Sequence, residues 1–156
     1  MWPFGKKKVQ VTVMSRENAI QYCREKHRQP SVIISISDPN RTYETAPFSS
    51  KENGVAAILP LSFCDADGPG KDVYGRDVDE SDLMQDEDAA KIARFVRENR
   101  DKLIIVHCDA GFSRSAGVGA AIAKYFTGDA KRYFGGVDYE PNMWCYSKTM
   151  MALLEA

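Results

Sequence analysis

Two apolar runs built mostly from β-branched residues, "SVIISIS" at 31–37 and "KLIIVH" at 102–107, restrict this chain more than any other feature. A strand with one wet face alternates polar and apolar residues. A run with almost no alternation is a strand covered on both faces, which means a parallel sheet sandwiched by helices. "GVAAILPLSF" at 54–63 is a third such run, with Pro60 pointing to an irregularity near its end. Between and around them the helical period takes over. "KVQVTVM" at 8–14 alternates as a strand and leads into "SRENAIQYCREKHR" at 15–28, a short helix that Ser15 can cap and Pro30 ends. Ala89, Ile92, Ala93 and Val96 recur at helical spacing, which predicts an amphipathic helix over about 82–100. "SAGVGAAIAKYF" at 115–126 is a helix rich enough in Gly and Ala to lie close against a sheet. Pro141 opens a last helix with Met143, Tyr146, Met150 and Leu153 along one face.

Strands alternating with helices predict an α/β fold with a central, mostly parallel sheet of about four to five strands and helices on both faces. One domain over residues 1–156 is expected, with 1–7 as a mobile start. Residues 38–53, "DPNRTYETAPFSSKEN", are polar and turn-rich; so long a connection suggests a substrate-facing loop.

A hydrophobic content of 44% in 156 residues suffices for a packed core without a metal or disulfide. No apolar run approaches the roughly 18 residues that span a bilayer, and the start lacks a signal-peptide pattern, so a cytoplasmic protein without a membrane partner is expected. The four cysteines, Cys23, Cys64, Cys108 and Cys145, are far apart and form no Cys-x-x-Cys pair, which argues for reduced thiols and no metal. Residues 64–88 hold ten acidic residues against Lys71 and Arg76, a local charge of −8 that leaves +7 on the rest of a chain whose net charge is −1. Asp86, Glu87 and Asp88 suit a helix N-terminus. No basic stripe supports a nucleic-acid partner.

The chemistry is concentrated in "HCDAGFSRS", residues 107–115, between the run "LIIV" and the Gly/Ala-rich helix. Ligands of α/β sheets bind beyond the carboxyl ends of strands. Here Gly111 lets the chain curl so that successive amides point inward, the helix dipole adds positive potential, and Arg114 offers a planar fork matched to phosphate. The same field stabilises a thiolate, which makes Cys108 a nucleophile. Neither the nucleotide P-loop pattern nor G-x-G-x-x-G is present.

His-Cys-x5-Arg-Ser resembles the signature of the cysteine-dependent protein tyrosine and dual-specificity phosphatases. Its place two-thirds along the chain is like the dual-specificity branch; the low-molecular-weight branch carries its cysteine near the N-terminus, and rhodanese-type sulfurtransferases have a shorter loop. The likeness covers residues 31–156 in element order and is greatest to small prokaryotic tyrosine phosphatases. It implies a dual-specificity-phosphatase-like fold and phosphomonoester hydrolysis through a phosphocysteine on Cys108, without cofactor or metal. Arg114 and the amides of Asp109, Ala110, Gly111, Phe112 and Ser113 would hold the phosphate oxygens. Ser115 would donate to the departing thiolate, and His107 would orient the loop and help hold Cys108 as the thiolate.

"EPNMWCYSKTM" is similar to the Pro-Asn-led helix whose Asn buttresses the phosphate loop in these enzymes, which implies that role for Asn142, with helix capping as the alternative. Trp144 and Lys148 depart from the glycine and glutamine common there. For the general acid two criteria compete. The family's spacing, about thirty residues before the cysteine, indicates Asp77 or Asp79; its local context, an acid just after an apolar strand, indicates "LSFCDADG". Context takes precedence, because 68–82 reads as a surface insertion: Asp65 is the first choice, with Asp67 and Asp77 as alternatives. The loop around Arg41 and Tyr43 could stand in for the tyrosine-recognition loop of receptor-type members. Without a lysine in the cradle, and with an acidic segment nearby, a phosphorylated protein or small phosphomonoester fits better than polyphosphorylated lipids or RNA ends. Two other readings stay open: a catalytically silent phosphate-binding module, and a thiol-dependent arsenate reductase-like enzyme with Cys64 as the resolving cysteine.

Overall fold

Two of the three apolar runs form the inner strands of one parallel sheet in a computed structural model that describes residues 8–39, 53–72 and 74–155; the third, 54–63, is not covered on both faces as expected but lies at the sheet edge, mostly exposed or half-buried. The expected mobile start at 1–7 and the loop carrying Arg41 and Tyr43 lie outside the described residues. Strands β1 (Gln10–Ser15), β2 (Ser31–Ser37), β3 (Val55–Ser62) and β6 (Leu103–Cys108) are ordered β1-β6-β2-β3, every neighbouring pair parallel. The remaining strands, β4 (Gly70–Lys71) and β5 (Asp77–Val78), form a separate antiparallel hairpin within the acidic segment.

Period-2 geometry divides each central strand between two cores. Val32, Ile34 and Ile36 of β2, with Ile104 and Val106 of β6, face one side, whereas Ile33 and Ile105 face the other. Each of these fully buried side chains contributes about 1.5–3 kcal/mol. Helix α1 (Arg16–Arg24) covers the smaller core with Ala19 and Cys23. The larger core is covered by α2 (Asp86–Glu98), α3 (Arg114–Thr127) and α4 (Met143–Glu155). No helix among the described residues is long and apolar enough to cross a membrane.

α3 lies as close as its composition implies: every residue from Arg114 to Ala123 is buried. A Cβ at Gly117 would run into the Asn142 carbonyl, so this glycine is what lets α4 approach.

Three boundaries differ from the sequence reading, each for a local reason. Ser15 does cap α1, its Oγ accepting from Asn18 N at 3.1 Å, but the helix stops at Arg24 and not at Pro30. His27 stacks on Tyr22 with ring centroids 3.6 Å apart, and its N–H donates to the Asn53 carbonyl, which turns the chain away. The helix expected from 82 begins at Asp86, because Asp79 caps a separate 3-10 turn at Glu80–Asp82. Pro60 pairs in register with Ser35; the shift lies at Ser31/Val32, and the missing N–H is harmless on an edge strand.

Candidate active site

β6 is one of the two inner strands of the order, and its carboxyl end delivers Cys108 between Ser15, its register partner on β1, and the end of β2. The chain then turns over Asp109–Ser113 into α3. Gly111 has φ +71° and rests on the β1–α1 junction so closely that a Cβ would lie 2.5 Å from the Met14 carbonyl carbon. Only glycine fits both the conformation and the space. Arg16 clamps the other side, its N–H donating to the Asp109 carbonyl at 3.1 Å and its Nε to Asp109 Oδ1 at 3.2 Å. Among the described residues the N–H groups of Ala110, Gly111, Phe112 and Ser113 donate to nothing. Four consecutive free amides at a helix start form an anion cradle.

Cys108 is 3% exposed, with Sγ 3.1 Å from Ser115 Oγ. Arg114, equally buried, is held by one edge: Nη1 donates to Asp38 Oδ1 at 2.7 Å and to the Phe63 carbonyl at 2.8 Å. Nε is buried without a partner, and Nη2 is 3.8 Å from Asp109 Oδ2. Burial opposes the guanidinium charge, yet Asp38, Asp65, Asp109 and Cys108 together hold its pKa above the ordinary value. An arginine anchored by Nη1, with Nε unpaired, presents a planar donor edge to a tetrahedral anion.

His107 is fully buried. Its Nδ1 lies 3.1 Å from the Cys108 carbonyl, which can only accept, so Nδ1 carries the proton and Nε2 accepts from Ser35 Oγ at 2.7 Å. Burial, helped by the charges of Arg16 and Arg114, pushes its pKa down to about 4. The ring is neutral at physiological pH, so it orients the Cys108 carbonyl and brings no positive charge to the thiol.

A cleft of about 450 Å³ opens above the cradle, lined by Asp65, Asp67 and Asp72 together with Cys108, Phe112 and Arg114. Asp65 Oδ1 accepts from Ser113 Oγ and from Asn142 Nδ2, both at 2.8 Å, while Oδ2 has no partner among the described residues. Asp67 lines the cleft as well, but its Oδ1 caps α4 by accepting from Met143 N at 2.9 Å. Asp77 does not line it: its side chain is 88% exposed and paired with Lys71.

Asn142 combines both roles weighed for it. Its Oδ1 accepts from Cys145 N at 3.0 Å as a helix cap, its N–H donates to the Ser113 carbonyl at 2.9 Å, and its Nδ2 grips Asp65 and the Ala66 carbonyl. Trp144, one of the departures from the family pattern, donates through Nε1 to the Met84 carbonyl at 2.9 Å, and Lys148 pairs with Asp86 at 2.6 Å. Cys64 is not in the cleft; it packs with Ala66, Val78 and Leu83 and is not brought to Cys108. Asp38 and Arg16 escaped the sequence reading. Among the described residues no group of three or more His, Cys, Asp or Glu could hold a metal ion. A larger recess of about 540 Å³ between α2 and α4 is lined by Asp86 and Lys148 but by none of Cys108, Arg114, Asp65 and Asn142.

No protein-family model matches the chain, and no curated protein does. Solved structures do match. Tk-PTP in its active form is 20% identical over 99% of this chain and 97% of that one, with a TM-score of 0.50. The same protein in a glycine-to-alanine mutant form is 20% identical over the whole of both chains, with a TM-score of 0.54. PTPMT1 in complex with PI(5)P is 15% identical over 94% of this chain and 91% of that one, with a TM-score of 0.56.

Proposed function

We propose that this chain, which has the fold of the dual-specificity and tyrosine phosphatases, hydrolyses phosphomonoesters through a phosphocysteine. The observation that carries the reading is Arg114: a buried guanidinium fixed by Asp38 and the Phe63 carbonyl, with Nε unpaired beside Cys108 and four free amides. Such a site stabilises a trigonal phosphoryl group more than any neutral ligand.

In the first step the Cys108 thiolate attacks phosphorus while the P–O bond to the leaving group breaks. The departing oxygen takes the proton of Asp65, whose Oδ1 is pinned by Ser113 and Asn142 and whose Oδ2 is unoccupied. In the second step water attacks the phosphocysteine and gives a proton to Asp65; the S–P bond breaks, and the returning thiolate accepts a hydrogen bond from Ser115 Oγ. Asp67 is the weaker candidate because it already caps α4, and Asp77 is outside the cleft.

The substrate reading is a phosphorylated protein, phosphotyrosine first. The cleft carries Asp65, Asp67, Asp72, Asp109 and Glu140 against Lys71 and Arg114, which suits one phosphate better than several. A cleft with so few cations is poorly matched to a polyphosphorylated headgroup.

The test is hydrolysis of p-nitrophenyl phosphate without added metal by wild type and by Cys108→Ser. Turnover is expected only in the wild type, with vanadate binding kept in both. Undiminished turnover in Cys108→Ser overturns the mechanism.

A further inference from the structure

The cradle contains a charge of the wrong sign. Asp109 is its first residue and lines the cleft with Cys108 and Arg114. A carboxylate there repels the anion that the neighbouring free amides are placed to hold, and the chemistry above gives it no task.

Asp109 lies between two guanidiniums. Nε of Arg16 donates to its Oδ1 at 3.2 Å, and Nη2 of Arg114 is 3.8 Å from its Oδ2. In the proposed mechanism Arg114 turns its open edge to phosphate, so it cannot also serve as the standing counter-ion of Asp109. Arg16 can. Its Nη2 donates to Ser37 Oγ at 2.6 Å, and its backbone N–H donates to the Asp109 carbonyl at 3.1 Å. Arg16 is thus anchored on Ser37 and Arg114 on Asp38, adjacent residues at the end of β2. The Arg16 side chain is 12% exposed and that of Asp109 25%, so water screens this pair little.

We propose that Arg16 is a positioning residue that cancels the Asp109 carboxylate and holds it off the phosphate site, so that Arg114 can exchange this internal carboxylate for phosphate. The inference rests on the phosphate-cradle reading and adds to it the group that sets the cradle's charge. Without Arg16 the charge of Asp109 falls on Arg114, and phosphate has to compete with it for the same fork.

The experiment is a double-mutant cycle on the intact protein, read as the affinity for inorganic phosphate by calorimetry, with thermal midpoints taken alongside to show that each variant is folded. Arg16→Gln should weaken phosphate about tenfold, and adding Asp109→Asn should restore the affinity to within about threefold of wild type. Asp109→Asn alone, which releases the charge of Arg16, should bind phosphate about threefold more tightly than wild type. A purely structural clamp would leave the loss in the double variant. That persistent loss, unweakened binding in Arg16→Gln, or an equal or lower affinity in Asp109→Asn overturns the proposal; should Arg16→Gln fail to fold, Asp109→Asn alone decides. If wild type binds no phosphate, the inference falls together with the cradle. Binding without p-nitrophenyl phosphate turnover overturns the phosphatase reading alone, since the cycle still judges Arg16.

Discussion

Asp65 has one oxygen held and one free, and that asymmetry decides what its replacement does. Asp65→Asn keeps the acceptor toward Ser113 and Asn142 but removes the transferable proton. The variant should lose about 10²- to 10⁴-fold in kcat on phenyl phosphate, much less on p-nitrophenyl phosphate, and lose the alkaline limb of its pH profile. Asp77→Asn, outside the cleft, should stay near wild type, and pH-rate profiles of both variants decide between the two positions. In the proposed mechanism Arg114 serves two clients at once, the anchor on Nη1 and the phosphate on its remaining nitrogens. A lysine has one ammonium and cannot reach both. Arg114→Lys should therefore lose at least about 100-fold in kcat/KM, with kcat falling as well as KM rising. Native kinetics in that variant would contradict the fork assignment.

The cradle is built where three elements meet: β6 supplies the cysteine, the β1–α1 junction supports Gly111, and the start of α4 braces Ser113 through Asn142. Gly111→Ala forces a side chain against the Met14 carbonyl at a φ that L-residues adopt at a cost of about 1–2 kcal/mol. It should lower the unfolding free energy measured in urea by at least that much and abolish vanadate binding, a pairing that a remote destabilising variant would not produce. The same three-way junction explains what could be read from the letters. β2, β6 and α3 were legible because burial on both faces leaves an unmistakable run of apolar or small residues. The end of α1 and the start of α2 were not, since a His27–Tyr22 stack and an Asp79 cap set them, and these compete with periodicity residue by residue. Asp38 and Arg16 were invisible for another reason. Each acquires its role from the strand order, which places the ends of β1 and β2 beside Cys108, and strand order is a tertiary fact. The β4–β5 hairpin has two-residue strands, too short to leave any alternation.

At the scale of the whole molecule, a neutral histidine in the middle of the sheet makes stability depend on acid. The unfolded chain binds a proton on His107 near 6.5, while the folded chain binds it only near 4. Stability is full above about pH 6.5 and falls as pH drops through that window, by about 3 kcal/mol at its lower end. Urea denaturation at pH 7 and pH 4.5 should show His107→Asn losing less over this interval than wild type; an equal loss in both would remove His107 as the cause. The sheet order has a consequence in time as well. Among the described residues β1 pairs only with β6, and Thr12 stands opposite Ile105, 93 positions later. At a synthesis rate of roughly 5–20 residues per second, β1 spends about 5–20 s outside the translating ribosome before its partner has been made. For that interval Val11 and Val13 belong to an unpaired apolar strand, and a nascent-chain chaperone has a definite segment to shield and a definite moment to release it.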